Sequence, residues 1–100
     1  MRELEIYLPT MTNRGTAINA AEIERIKETL VEAFGGYTHL NQRFQGAWRM
    51  GGVVLHDEVT IVRVLDDGTA AFDIEAFKTS LEATLDQEEV LIIARDVRRL

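Results

Sequence analysis

One hundred residues, 46% hydrophobic and 28% charged with a single proline, suit one packed domain that buries about two thirds of its unfolded surface. They exclude two independent cores and the composition of a disordered segment. The chain has no cysteine, which rules out disulfide frameworks, thiolate metal sites and cysteine nucleophiles. The formal net charge of −6 is uneven: residues 1–50 carry six acids and six Lys or Arg, residues 51–100 eleven and five. Such a surface displaces phosphate counterions poorly, so nucleic acid is not an expected partner.

The opening segment MRELEIYLP has acids where a signal peptide needs an apolar core, and no apolar run approaches the ~20 residues that cross a bilayer. A cytoplasmic protein without membrane association is expected. Leu4, Ile6 and Leu8 alternate with Glu3, Glu5 and Tyr7, the period of a strand with one buried face, and Pro9 ends it. Thr10 to Ile18, with Asn13, Arg14 and Gly15, reads as an exposed loop. Asn19 and Glu22 have capping-box spacing, and Ile23, Ile26, Leu30 and Phe34 then recur at helical intervals. The spacing predicts a helix over Ala20–Phe34, stopped by Gly35 and Gly36, because glycine takes the left-handed conformation that ends helices.

Tyr37–Leu40 and Ala47–Met50 read as extended, separated by a polar loop at Asn41, Gln42 and Arg43. Gly51 and Gly52 permit a tight reversal before Val53–Leu55. A solvated turn is expected at His56, before a β-branched strand from Val59 to Leu65 that Asp66, Asp67 and Gly68 close. Phe77, Leu81 and Leu85 mark a second amphipathic helix starting near Asp73, and Val90–Ala94 is a continuous apolar strand. The order strand, helix, strand, strand, helix, strand predicts an α+β fold over residues 1–100. It is that of the ferredoxin-like split βαβ plait (βαββαβ), an antiparallel sheet with two helices on one face. The last strand then lies at a sheet edge with no polar side, which predicts a homodimer or larger assembly covering that edge or the helix-free face.

Candidate chemistry is sparse. His39 and His56 are the only histidines, and neither has a metal-ligating partner at helical spacing. His56, Asp57 and Glu58 cannot converge on one ion if extended, because successive strand residues face opposite ways. No metal and no cofactor is expected. Ser80 lies in the second helix without a nucleophile elbow, and Thr38 and His39 as strand neighbours point apart. Glu5 and Glu58 are the one carboxylate pair that acid–base work could use. His39, His56 and Glu58 are therefore the catalytic candidates, each equally well read as a solvated or structural side chain. Trp48, beside Gly46 and Arg49, is either core or part of a recognition surface. With Tyr7, Tyr37, Thr38, Arg49 and Arg63 it forms the candidate ligand- or partner-binding set, expected on the uncovered sheet face. An RNA-binding plait would carry aromatics in its third strand, where this chain reads VTIVRVL.

The motifs FGGYT, GAW, VVLHDEV, VTIVRVL and QEEVLII resemble a pattern shared by small uncharacterised bacterial proteins. In them a helix leads to F-G-G-x-T, then G-x-W, an acid and alternating valines, and the chain ends in a Q-E-x-V-L-I strand. The resemblance spans about 60 residues, from Phe34 to Ile93, while the Thr10–Asn19 loop departs from it. It implies a ferredoxin-like plait that associates through its sheet, and it brings no activity.

Three functions fit these readings. The first is a noncatalytic binding or regulatory module acting as a dimer, with a protein partner or small ligand. The second is a small enzyme of the dimeric α+β barrel type with a pocket between sheet and helices. The third is an acidic inhibitor of the phage type, directed at a basic site on a host protein.

Overall fold

A computed structural model describes all residues from Met1 to Leu100. Its elements run β1 (Arg2–Pro9), α1 (Ala20–Phe34), β2 (Thr38–Met50), β3 (Val53–Asp66), α2 (Ile74–Thr84) and β4 (Ile92–Asp96). The strands form one antiparallel sheet in the order β2-β3-β1-β4, so the chain is a small α+β domain with β4 and β2 at the edges.

Alternation in β1 places Leu4, Ile6 and Leu8 on one face, where they join Val62 and Val64 of β3, Ile26 and Leu30 of α1, Leu81 of α2, Leu85 and Val90 in one buried cluster. Because both helices contribute to that cluster, they cover the same side of the sheet. Phe72 sits between Phe34 and Phe77, with ring centroids 5.0 and 5.1 Å apart, and closes the end of this core. No helix is long and apolar enough to cross a membrane.

Local signals act as their chemistry dictates. Asn19 Oδ1 accepts from the Ala21 N–H at 2.9 Å, but Glu22 pairs with Arg25, so only the forward half of the capping box forms. Gly35 takes φ 85° and donates its N–H to the Val31 carbonyl at 2.8 Å. Asp73 caps α2 by accepting from the Ala76 N–H at 3.0 Å. The Thr10–Ile18 loop closes on itself through a Met11/Ala17 bridge. Its Asn13 N–H, donated to the Asp86 carbonyl at 2.9 Å, ties it to the end of α2.

Two expected interruptions are absent. Asn41–Arg43 does not leave the sheet: β2 runs through it with a bulge between Leu40 and Phe44 that absorbs the extra residues. His56 is not in a turn either, since β3 continues unbroken from Val53 to Asp66. β4 begins later than expected, at Ile92, with Val90 buried in the core ahead of it. The consequence is a hairpin longer than the rest of the sheet. β1 pairs with β3 only from Val59 to Asp66, so Gly46–Met50 and Val53–Asp57 stand beyond β1 as a two-stranded arm, reversed at Gly51 with φ 64°. Fourteen residues rise about 46 Å when straight, so β3 must lie along the 40 Å axis of a molecule that measures 28 and 26 Å across.

Candidate functional site

Two surfaces gather the residues singled out above: the helix-free sheet face and the root of the arm. On the sheet face Glu5 lies opposite Arg63 of β3 and Ile93 of β4. It is only 3% exposed, yet fully served: Arg63 Nε donates at 2.8 Å, Arg95 Nη1 at 3.3 Å and Tyr7 Oη at 2.5 Å. Arg95 also reaches Glu3 at 3.2 Å. Burial pushes the Glu5 carboxyl upward, but the three donors outweigh it and leave its pKa below the ordinary value. The same bond raises the Tyr7 phenol, which would have to ionise beside a carboxylate. Thr38 pairs with Arg63 at the exposed end of this face.

A groove of about 780 Å³ lies at the root of the arm. Trp48, Met50, Leu55 and Asp57 line it from the arm, Tyr7 and Pro9 from β1, Met11 and Asn13 from the loop, and Gln87–Glu89 and Leu91 from the segment before β4. Its acids are mostly engaged. Glu58 Oε1 accepts from Thr10 Oγ1 and Arg43 Nη1, both at 3.2 Å, and Asp57 Oδ1 accepts from Trp48 Nε1 at 2.8 Å. Gly46 makes the last bond possible. A Cβ there would sit 2.5 Å from Asp57 Oδ1 and 2.9 Å from the indole nitrogen.

Four members of the expected binding set, Tyr7, Thr38, Trp48 and Arg63, have the helix-free orientation: Tyr7 pairs with Ile61, Thr38 with Arg63 and Trp48 with Leu55, which alternate along one face of β3. Tyr7 and Trp48 also line the groove. Tyr37 is on the helix side, its ring 5.7 Å from Lys27 Nζ. Trp48 and Arg49 are successive residues of β2 and project to opposite faces of the arm, yet both border the groove at its root.

Of the catalytic candidates, His56 and Glu58 both line the groove and His39 lies apart. His39 pairs with Val62 on the core-facing side, and its Nε2 is 3.1 Å from Thr60 Oγ1. Burial, then the Lys27 charge, depress its pKa. His56 is exposed on the arm, and Glu58 lies at its root. Glu5 and Glu58 are separated by the sheet: Glu5 shares the face of Arg63, whereas Glu58, five residues away along β3, has the opposite orientation. No three His, Asp or Glu side chains are placed to hold one metal ion.

Sequence reasoning missed Met11 and Arg95, and placed Leu91 only in the apolar edge strand Val90–Ala94. Met11 is 55% exposed in the segment read as an exposed loop. The one signal for Arg95 was its place at the end of the last strand, two residues beyond Ile93. No protein-family model matches this chain, and no curated protein matches it as a relative.

Proposed function

We propose that this chain is a noncatalytic binding module on a ferredoxin-like split βαβ plait, acting as a homodimer and using the arm as its contact element. The strand order β2-β3-β1-β4 with both helices on one side supports the plait, as does the resemblance carried by FGGYT and QEEVLII. One observation carries the binding reading: Trp48, Met50, Val53, Val54 and Leu55 are between 37 and 59% exposed on a ribbon that no other element of the chain covers. A two-stranded ribbon is marginal by itself in water, and clustered apolar exposure marks an interaction surface. Two of the side chains suited to chemistry are occupied away from the groove, Glu5 by two arginines and a tyrosine and His39 against Thr60.

Sedimentation analysis tests this reading. The intact chain is expected to associate, and a variant with Ala47–His56 replaced by a short Asn-Gly turn is expected to be monomeric with its core still folded. A wild-type chain that stays monomeric throughout the micromolar range overturns the dimer. A shortened variant that associates like wild type removes the arm's role.

A second reading, a pocket enzyme, has the groove in its favour, since Tyr7, His56, Asp57 and Glu58 all line it. Thermal-shift screening against nucleotides, metals and metabolites addresses it. A ligand whose stabilisation survives alanine at both His56 and Glu58 would sink that assignment of residues.

A further inference from the structure

The arm has a free backbone edge as well as free side chains. The last backbone bond joining β3 to the β1 side is the Thr10 N–H to the Glu58 carbonyl, at 3.0 Å. From Asp57 back to Val53 the strand pairs only with β2. Half of its N–H and C=O groups therefore point to where a further strand would lie. Such an edge is a template for another strand, and its residues, Val-Val-Leu followed by His56, suit a pleated, half-buried surface.

We propose that the strand completing this edge is the same segment of a second copy of the chain, added antiparallel about a two-fold axis at Leu55. This rests on the dimeric reading above and names its contact. An antiparallel pair can map one segment onto itself, which is what an isologous two-fold interface requires. Charge narrows the register. Pairing about Leu55 sets leucine on leucine, Val54 on His56 and Val53 on Asp57, with no like charges opposed. Pairing about Asp57 or Glu58 would set two carboxylates face to face, which destabilises.

Charge is compatible with this occupant. The arm carries Arg49 and one acid, Asp57, which Trp48 holds, and the groove beside its root is lined by Glu88 and Glu89 as well as by Arg43 and Arg49. The two-fold brings the tip of each arm, with its Arg49 and Met50, to the other copy's root, where Glu88 and Met11 stand exposed. The two ribbons then form four strands, enough for a stable sheet. The opposite edge of the hairpin is a poorer template, because β2 has a bulge between Leu40 and Phe44 and carries Arg43 there.

The absence of cysteine allows a direct test by single substitutions: Leu55→Cys at the proposed axis, Val54→Cys beside it, Ile93→Cys on the helix-free face and Thr79→Cys on α2 as background. Opposed strand residues have Cβ atoms about 4.5–5.5 Å apart, close to disulfide reach. Under mild oxidation Leu55→Cys is expected to give a covalent dimer at least about tenfold faster than Thr79→Cys, since pairing within a complex replaces micromolar encounter by millimolar effective concentration. It should also outpace Val54→Cys. Sedimentation of the reduced Leu55→Cys protein as a dimer shows that the substitution itself did not break the contact. Faster bridging at Val54 overturns the register. A wild-type dimer that bridges through Ile93→Cys and not at Leu55 or Val54 overturns the arm pairing and leaves the dimeric reading standing. A monomeric wild-type chain overturns both.

Discussion

Trp48 and Asp57 are joined across the arm by an indole N–H donated to Oδ1 at 2.8 Å, over a backbone position that only glycine leaves open. Gly46→Ala is expected to displace the indole and break this bond, because the added carbon would overlap both partners. Both are side-chain ends near solvent and can swing away, so the expected cost is no more than about 1 kcal/mol, the net worth of one hydrogen bond. Trp48 is the only tryptophan, so its emission and anisotropy report the change directly. Unaltered emission in Gly46→Ala would refute the role given to that glycine.

The sheet-face network predicts an asymmetry. Arg63 and Arg95 are 43 and 47% exposed in their side chains, against 4% for Glu5. Water can solvate the arginines when the acid is removed, whereas their removal takes away two of the three donors that hold the carboxylate. Glu5→Gln is expected to cost about 1–2 kcal/mol, and the double substitution Arg63→Ala with Arg95→Ala about 3 kcal/mol, the cost of an uncompensated buried charge. In the double variant the Glu5 carboxyl should move above its ordinary value. The folded state then binds the proton more tightly than the unfolded one, and part of the lost stability returns as pH falls. Urea unfolding at neutral and acidic pH measures both effects.

His39 sets the first step of acid sensitivity. Its folded pKa lies below the ordinary 6.5, through burial first and Lys27 second. The unfolded chain therefore binds its proton more readily. The stability linked to the neutral ring is complete above pH 6.5 and falls as pH drops through that value toward the folded pKa. Glu5, Asp66 and Glu82 have lowered pKa values, so their contributions are present above the ordinary carboxylate range and disappear only at lower pH. His39→Gln should flatten the upper part of the profile and leave the acid limb. Thermal unfolding across pH tests this, and an unchanged slope below pH 6.5 would count against it.

Core and arm should respond oppositely to truncation. Leu30 and Leu85 are completely buried, and alanine at either is expected to cost about 2–5 kcal/mol. Val54→Thr and Leu55→Thr, at residues 49 and 45% exposed, should change the stability of the monomeric fold by about 0.5 kcal/mol or less. They should weaken self-association instead, which sedimentation separates from folding.

Much of the scaffold was legible in the chain. Both helices start at side-chain caps, Asn19 and Asp73, and α1 ends at a glycine whose φ is 85°. These signals act within one turn and leave local traces. The strand β1 was readable because one of its faces is buried, which enforces alternation. Polar residues misled the reading of β2 and β3. Asn41–Arg43 and His56–Glu58 look like interruptions, but on an edge strand with a bulge, and on an arm wetted on both sides, polar side chains are compatible with continuous pairing. The candidate site was only half visible for the same reason. Trp48 and Arg49 were found by composition, while Arg95, which reaches Glu5 from ninety residues away, left no local trace.

The residue pattern alone determined the two helices, the order of the elements and which face of β1 is buried, because periodicity and caps are properties of neighbours along the chain. Only the tertiary structure decided that β3 outruns β1. That depends on where Pro9 stops one strand while its neighbour continues, a relation between residues fifty positions apart. The unpaired edge, the arm and the groove at its root all follow from that mismatch in length.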